Sequence, residues 1–415
     1  MSPAAASAGA DEVVARIAAG ESAAAAQVVS TLARHTPVLS SRSLSERCGG
    51  RLLLKAENLQ RTGSFKLRGA VHKISRLGDT PGVVAGSAGN HGQSLAYAAR
   101  AQGVPCEVFM PREAPVAKVA AVEAFGGIVH LQGDSVDACV EAARARAQET
   151  GAGFVHPFDD PDVILGQSTL GLELLKDVPD LAQVVVPVGG GGLISGIAGV
   201  VKSRHPHARI IGVQAEACAP FPESLKGAPI TAAARATIAD GIAIKRPGEI
   251  TLPLVQRWVD DMVVVSEEDI ADAMVWLLER SKLVVEGGGA AGVAAVLAEK
   301  VTPAPRGATV IVLSGGNVDA GLLAAVAQRN ETLRGRRMRL FTRISDRPGG
   351  LAALLTLIAE AGGNVVNAEH VRDAVALHVR ETGVEITLET RNPQHSDAIV
   401  TAMQDAGYDV HRHDA

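Results

Sequence analysis

Along most of the chain, short runs of branched apolar residues alternate with longer segments whose apolar positions recur at helical spacing. "GVVAGS" precedes "HGQSLAYAARAQG", "PCEVFM" precedes "APVAKVAAVEAFGG", and "IVHLQG" precedes "SVDACVEAARARAQETG". "VVVPVG" runs into a glycine-opened helix, and "IIGVQA" follows it. The alternation predicts an α/β fold built on mostly parallel sheet, with functional loops beyond the carboxyl ends of the strands. Farther along, "SEEDIADAMVWLLERSKLVVEGGGAAGVAAVLAEK" continues the helical period, and "GATVIVLSGGN" reads as another buried strand ending in a glycine turn.

The pattern changes after Leu333. "RGRRMR", Arg334–Arg339, reads as a solvated basic connector. Beyond it "RLFTRISD" alternates like a strand, and "PGGLAALLTLIAEAGG" is a Pro-led helix ended by glycines. "NVVNAEHVR" and "GVEITLETR" are strands, "HSDAIVTAMQDAG" is helical, and a short "YDVHRH" closes the chain. The order βαββα with a final short strand predicts a small ferredoxin-like α+β unit. The expected division is therefore 1–335 and 336–415.

Composition narrows the function. A length of 415 residues with 47% hydrophobic content supports large cores in more than one domain. A formal net charge of -5 gives no basic field for nucleic acid or a membrane surface, and 3% aromatic residues supply no stacking platform for bases. The four cysteines, Cys48, Cys106, Cys139 and Cys218, show no paired spacing and read as reduced thiols. The alanine-rich N-terminus carries Asp11 and Glu12 and lacks the basic start of a secretion signal. The uncharged stretch Val184–Val201 is long enough to span a bilayer, but Pro187 and four glycines split it into a buried strand and a separate helix. His205 with His207, and His411 with His413, lack a third ligand at suitable spacing, so no metal site is expected.

Four segments carry candidate chemistry. "RTGSFKLRGA", Arg61–Ala70, opens a helix with apolar Leu67, Val71 and Ile74, and Ser64 is placed to cap it. Lys66 falls in the first turn, where burial and the positive end of the helix dipole favour a neutral amine over an ammonium. Such an amine can condense with a carbonyl. "SAGNHGQ", Ser87–Gln93, joins a strand to a helix, aiming backbone amides and Asn90 into a crevice. In "VGGGGLISG", Val188–Gly196, consecutive glycines let several N–H groups approach a phosphate. It lacks the Lys-Ser/Thr ending of a nucleotide-binding loop, which favours a cofactor phosphate over ATP. "LSGGN", Leu313–Asn317, puts Ser314 at the end of a strand.

Taken in order over about the first 335 residues, these motifs resemble the threonine ammonia-lyase (threonine dehydratase) family of fold-type II pyridoxal phosphate enzymes. "KAENLQRTGSFK", "MPREAPVAKVAAVEAFGG", "HPFDDPDVILGQ", "IADGIA" and "RPGEIT" add to the likeness. The resemblance implies a tryptophan synthase beta-like fold of two α/β subdomains with pyridoxal 5'-phosphate as cofactor. Lys66 would carry the cofactor covalently and, once released, serve as the base at the substrate α-carbon. Phe65 would lie against the ring and Asn90 would bond its phenolic oxygen. Gly189, Gly190, Gly191, Gly192 and Leu193 would hold the phosphate, and Ser314 would bond the pyridine nitrogen. A neutral hydroxyl there does not keep the nitrogen protonated, which favours prompt loss of a β-leaving group. Ser87, Gly89, Asn90 and His91 would surround the substrate carboxylate. The implied reaction is β-elimination of L-threonine to 2-oxobutyrate and ammonia, and of L-serine to pyruvate.

Several positions depart from the family pattern. Ala88 stands where the related serine racemases carry a second acid/base serine, so racemisation is disfavoured. Gln214 and Ala215 replace Glu-Pro, "EGGGA" at Glu286–Ala290 replaces "EGAGA", and "GQST" at Gly166–Thr169 replaces "GQGT". The C-terminal unit resembles an ACT domain through "SDRPGGL", Ser345–Leu351, and "GGNV", Gly362–Val365. Pro348 would start the helix, and the resemblance points to an amino-acid effector such as isoleucine near Asp346, Gly349 and Asn364. A purely structural dimerisation module is the competing reading of that unit. For the whole chain, a dehydratase of another β-hydroxy amino acid, a β-replacement synthase and a non-catalytic amino-acid sensor stay open. The family resemblance further implies a cytoplasmic homo-oligomer, dimer or tetramer.

Overall fold

The branched apolar runs become strands, numbered in chain order. They are β1 Val38–Ser40, β2 Arg51–Ala56, β3 Val83–Gly86, β4 Cys106–Met110, β5 Ile128–Leu131, β6 Gly153–Phe154 and β7 Leu181–Pro187. Then come β8 Arg209–Ala215, β9 Asp261–Val265, β10 Ala308–Leu313, β11 Arg337–Ser345, β12 Asn364–Val371, β13 Glu381–Glu389 and β14 Val410–Arg412. The structure is a computed structural model describing residues 3–227, 230–232, 235–371 and 380–413. The chain divides into two units, Met1–Asp319 and Ala320–Ala415. The helix Ala320–Leu333 therefore goes with the second unit, where it packs against β11.

The first unit holds two sheets. One runs β1-β2-β10-β7-β8-β9, parallel except for β1 against β2; the other runs β5-β4-β3-β6, all parallel. β10 is buried at every position, as a strand covered on both faces must be, which is why its sequence is apolar without alternation. Val184, Val186, Val310 and Val312 pack against Leu193, Ile194 and Ile197 of the helix Gly192–Arg204. In the smaller sheet, Val83, Ala85, Val108 and Met110 pack with Leu95, Ala96 and Ala99 of the helix Asn90–Ala101. Among the described residues no helix is long and apolar enough to cross a membrane.

One expectation in this unit is corrected. The helical pattern from Ser266 to Lys300 is not one element: the helix Glu267–Trp276 passes through a wide turn, Leu277–Ser281, and stops at Lys282, whose φ of 59° is left-handed. A second helix begins at Gly287 and runs to Leu297, with Glu286 in its N-cap position. The break carries Glu286 out of helical register and into the crevice described below.

The second unit runs β11, helix Gly350–Glu360, β12, β13, helix Pro393–Asp405, β14, and its antiparallel sheet has the order β12-β13-β11-β14. This is the ferredoxin-like arrangement expected from the pattern. The basic connector is shorter than the sequence suggests, because Arg337–Arg339 already pair with β13. Pro348 precedes the helix rather than starting it: Gly349, at φ 90°, holds the N-cap position. The last residue of "NVVNAEHVR", Arg372, lies outside the described residues.

Candidate active site

The strands β2, β3, β7 and β10 deliver their carboxyl ends to one crevice, the place where parallel α/β sheets bind ligands. After β2 the chain returns through "RTGSFK" and is stitched to the loop after β10. Ser64 bridges Gly315, Phe65 N donates to Ser314 O at 3.1 Å, and Gly316 N donates to Gly63 O at 2.8 Å. This pairing corrects the expected cap. Drawn into the bridge, Ser64 does not reach the helix: Phe65 holds the N-cap position of Lys66–Arg76, and the buried Ser64 hydroxyl has no partner among the described residues.

Lys66 leaves this junction half-buried, its Nζ donating to Pro157 O at 2.7 Å and lying 5.2 Å from the centre of the Phe65 ring. Burial pulls its pKa down to about 8, against the opposing pull of the Glu286 carboxylate. Roughly a tenth of such amines is neutral at pH 7, against about one in a few thousand for an ordinary lysine.

Phe65, Lys66, Asn90, Ser314 and the turn Gly189–Leu193 line one small cavity of about 60 Å³. The turn follows β7 and opens the helix Gly192–Arg204, whose first N–H groups have no intrahelical partner. Gly191 makes the turn at φ 95°, and a Cβ there would lie 2.9 Å from both Phe221 and Thr251. The cavity thus offers an amine, a cradle of backbone donors and a hydroxyl. That set suits an aldehyde, a phosphate and a ring nitrogen on one ligand.

A wider cavity of about 370 Å³ shares Lys66, Asn90, Pro157, Gly241 and Glu286 with the first and is also lined by Ser87, Ala88, Gly89 and His91. Ser87 Oγ accepts the N–H of Gly89 at 3.2 Å and of Gly92 at 3.0 Å, which leaves its own proton to donate. His91 is neutral: its Nε2–H bonds Val155 O at 2.9 Å, and burial together with the Lys66 charge holds its pKa down to about 3. Across the cavity, Lys118 is ion-paired with Asp240.

Asn90 has two further partners, neither of them expected from sequence. Its Nδ2 donates to Glu286 Oε1 at 2.6 Å and its Oδ1 accepts from Asn317 Nδ2 at 2.7 Å. No role was expected from sequence for Glu286, Asn317 or Lys118. For Glu286 a signal was available, since a single acid in "LVVEGGGAAGVAAV" has no reason to be there unless it faces a polar site.

The three candidate effector residues do not converge within one chain. Asn364 lies in register with Glu389 and Arg337, at one end of the sheet; Asp346 and Gly349 follow Ser345, at the other end of the nine-residue β11. At about 3.3 Å per residue the two ends are roughly 26 Å apart. The Asn364 amide is bonded to Glu389 Oε2 at 2.8 Å.

The family model described as "Pyridoxal-phosphate dependent enzyme" matches residues 29–315. An L-threonine ammonia-lyase of Thermotoga maritima is 44% identical over 390 residues, 93% of this chain and 97% of its own length. Among solved structures, a threonine deaminase of T.th. superposes with a TM-score of 0.68 at 42% identity, covering 72% of this chain and 98% of that one. A maize serine racemase superposes with a TM-score of 0.71 at 35% identity, covering 76% and 98%.

Proposed function

The chain belongs to the pyridoxal-phosphate-dependent enzyme family, and from that premise we propose that it deaminates L-threonine to 2-oxobutyrate and ammonia, and L-serine to pyruvate. The donor set fits the cofactor. Lys66 would hold its aldehyde, the Gly189–Leu193 turn its phosphate, Ser314 its ring nitrogen, and Phe65 and Asn90 its ring face and phenolic side. Pyridoxal phosphate supplies the electron sink that makes the substrate α-proton acidic.

The single observation that carries the reading is Lys66 itself, a lowered-pKa amine at the meeting of the two cavities. The substrate carboxylate is held by the Ser87 hydroxyl and the amides of Asn90 and His91, with no arginine needed. Lys66 Nζ takes the α-proton, and the ammonium so formed balances the proton that the β-hydroxyl needs in order to leave as water. Addition of water to the released product frees ammonia, so the water lost is regained. On the carboxylate side Ala88 offers no hydroxyl, and the one proton Ser87 can donate is given to the substrate carboxylate, so no second acid stands ready to return the proton to the opposite face. The racemase outcome is therefore disfavoured by the same turn that binds the substrate.

The test is 2-oxo acid release by the cofactor-loaded chain from L-threonine and L-serine in parallel, with chiral analysis of the residual serine. Release of 2-oxobutyrate without D-serine is expected. Cofactor bound to Lys66 with no 2-oxo acid from either substrate would overturn the reading, and racemisation as fast as elimination would overturn its stereochemical half.

The second unit is read as an ACT domain. Because Asn364 and Asp346 with Gly349 occupy opposite ends of one sheet, the effector site joins the two ends from different chains of a dimer or tetramer. The assembly is read as cytoplasmic. Titration with isoleucine is expected to give binding heat and a change in rate together; neither signal at millimolar ligand would remove isoleucine as the effector.

A further inference from the structure

We propose that Glu286 is a positioning residue of this site: it fixes the amide of Asn90 so that one N–H is spent on the carboxylate and the other faces the cavity beside Lys66. The inference rests on the pyridoxal phosphate reading, because the cavity-facing N–H is the one that would meet the cofactor's phenolic side.

The orientation is forced through a chain of donors and acceptors rather than chosen. Asn317 Nδ2 lies 2.8 Å from Thr62 O, and a carbonyl can only accept, so the atom facing it is the amide nitrogen. The same nitrogen lies 2.7 Å from Asn90, which must therefore present its oxygen. That leaves Asn90 Nδ2 towards Glu286, 2.6 Å from Oε1. Remove the acceptor at position 286 and half of the clamp on Asn90 is gone, with only Asn317 left to hold it.

The backbone is arranged to bring the carboxylate here. Glu286 sits in the N-cap position of Gly287–Leu297 without capping it, and its N–H is bonded to Gly315 O at 3.1 Å. Residue 315 must be glycine for this to work, since a Cβ there would lie 2.1 Å from Glu286 Oε1. Glu286 is 7% exposed, and a lone buried carboxylate is costly unless it is hydrogen-bonded. Its surroundings are Asn90, Lys66, Lys118 and Asp240. Burial, then the Asp240 charge, pushes its pKa up to about 7, against the Asn90 bond, Lys118 and Lys66. Oε1 accepts the amide hydrogen in either protonation state, so the clamp holds through neutral pH.

Position and charge can be separated with three variants of the cofactor-loaded enzyme, read by the visible absorption band of the bound cofactor and by kcat and KM. Glu286→Gln keeps the acceptor in place without the charge; Glu286→Asp keeps the charge but withdraws the acceptor by one bond; Glu286→Ala removes both. Positioning predicts a near wild-type band and kcat for Glu286→Gln. It predicts a shifted band and a kcat lower by up to about 100-fold for Glu286→Asp and Glu286→Ala, with KM changing less. The reverse order, Glu286→Asp normal and Glu286→Gln shifted, would mean that charge is what matters and would overturn the proposal, as would three wild-type bands. Should Glu286→Ala fail to fold, the Gln and Asp pair still decides. Wild-type chain that forms no cofactor band would instead defeat the family reading, so the two failures are distinguishable.

Discussion

Lys66→Ala is expected to fold and to lose at least about 1,000-fold in 2-oxo acid release, because on the proposed function one substitution removes both the covalent anchor for the cofactor and the base at the α-carbon. A positioned base alone is worth about 10² to 10⁴ in rate. The fold has little to lose: the hydrogen bond of Lys66 Nζ is to a carbonyl at the cavity wall, and alanine is a good helix former at the start of Lys66–Arg76. A melting temperature near that of the wild type with activity gone is the expected pair of results. The amine's lowered pKa makes a second measurement available in cofactor-stripped wild type. The neutral form attacks the aldehyde, and it accumulates as pH rises through about 8, so reconstitution should accelerate up to about pH 8 and level off above it. An ordinary lysine would keep accelerating to beyond about pH 10. Unchanged turnover in Lys66→Ala would sink the assignment outright.

What the sequence made legible follows from how each signal arises. Strands such as β7 and β10 are buried on both faces, so their composition alone announces them, and the loops at their carboxyl ends could be read as a ligand crevice before any coordinates. The glycine turn that lines the cavity, proposed to hold the phosphate, was visible because only consecutive glycines let successive N–H groups converge. What escaped was set by pairing across the chain. Ser64 reads locally as a cap, but its bridge to Gly315 is a contact over some 250 residues that no local pattern encodes. Glu286 was marked only by being a lone acid in an apolar stretch, because the break at Lys282 that carries it out of the helical period is made by a left-handed non-glycine residue, which has no sequence mark of its own. Asp346 and Asn364 looked like neighbours because both border the same helix in sequence, whereas β11 and β12, each antiparallel to β13, run parallel to one another, so the helix returns the chain to the opposite end of the sheet.

Arg68 shows the same limit with the largest consequence for stability. It is part of "SFKLRGA", two residues beyond Lys66, where no local pattern gives an arginine a reason to be buried. Instead it is 1% exposed. Its Nε and Nη2 donate to Glu57 at 2.8 and 2.7 Å, and its Nη1 and Nη2 to Glu173 at 2.7 and 3.0 Å. Thr36 also donates to Glu57, and Lys55 pairs with Glu173. The helix that presents Lys66 is thus anchored through a buried charge cluster reaching β2 and the helix Pro161–Asp177.

Arg68→Met is expected to destabilise the first unit by about 3 to 5 kcal/mol, because it leaves the Glu57 carboxylate buried without its counter-ion. Glu173 keeps a direct ion pair with Lys55, whereas for Glu57 the Lys55 charge is a smaller influence than Arg68. Burial alone would push Glu57 upward, but the Arg68 guanidinium, helped by the Thr36 hydroxyl and the Lys55 charge, holds the pKa below the ordinary value. A depressed carboxylate contributes stability above its unfolded pKa of about 4.3 and loses it as pH falls through the folded value. In Arg68→Met the sign reverses: with the cation gone, burial raises Glu57, so protonation relieves the variant on acidification while it costs the wild type. The gap between the two in denaturant midpoint should therefore be widest near pH 7 and narrow towards pH 4. The double variant Glu57→Gln/Arg68→Met should recover much of the loss at pH 7, since the uncompensated charge, more than the missing contact, is what destabilises. A gap that stays constant with pH, or a double variant no better than the single, would show that Arg68 acts by filling space instead.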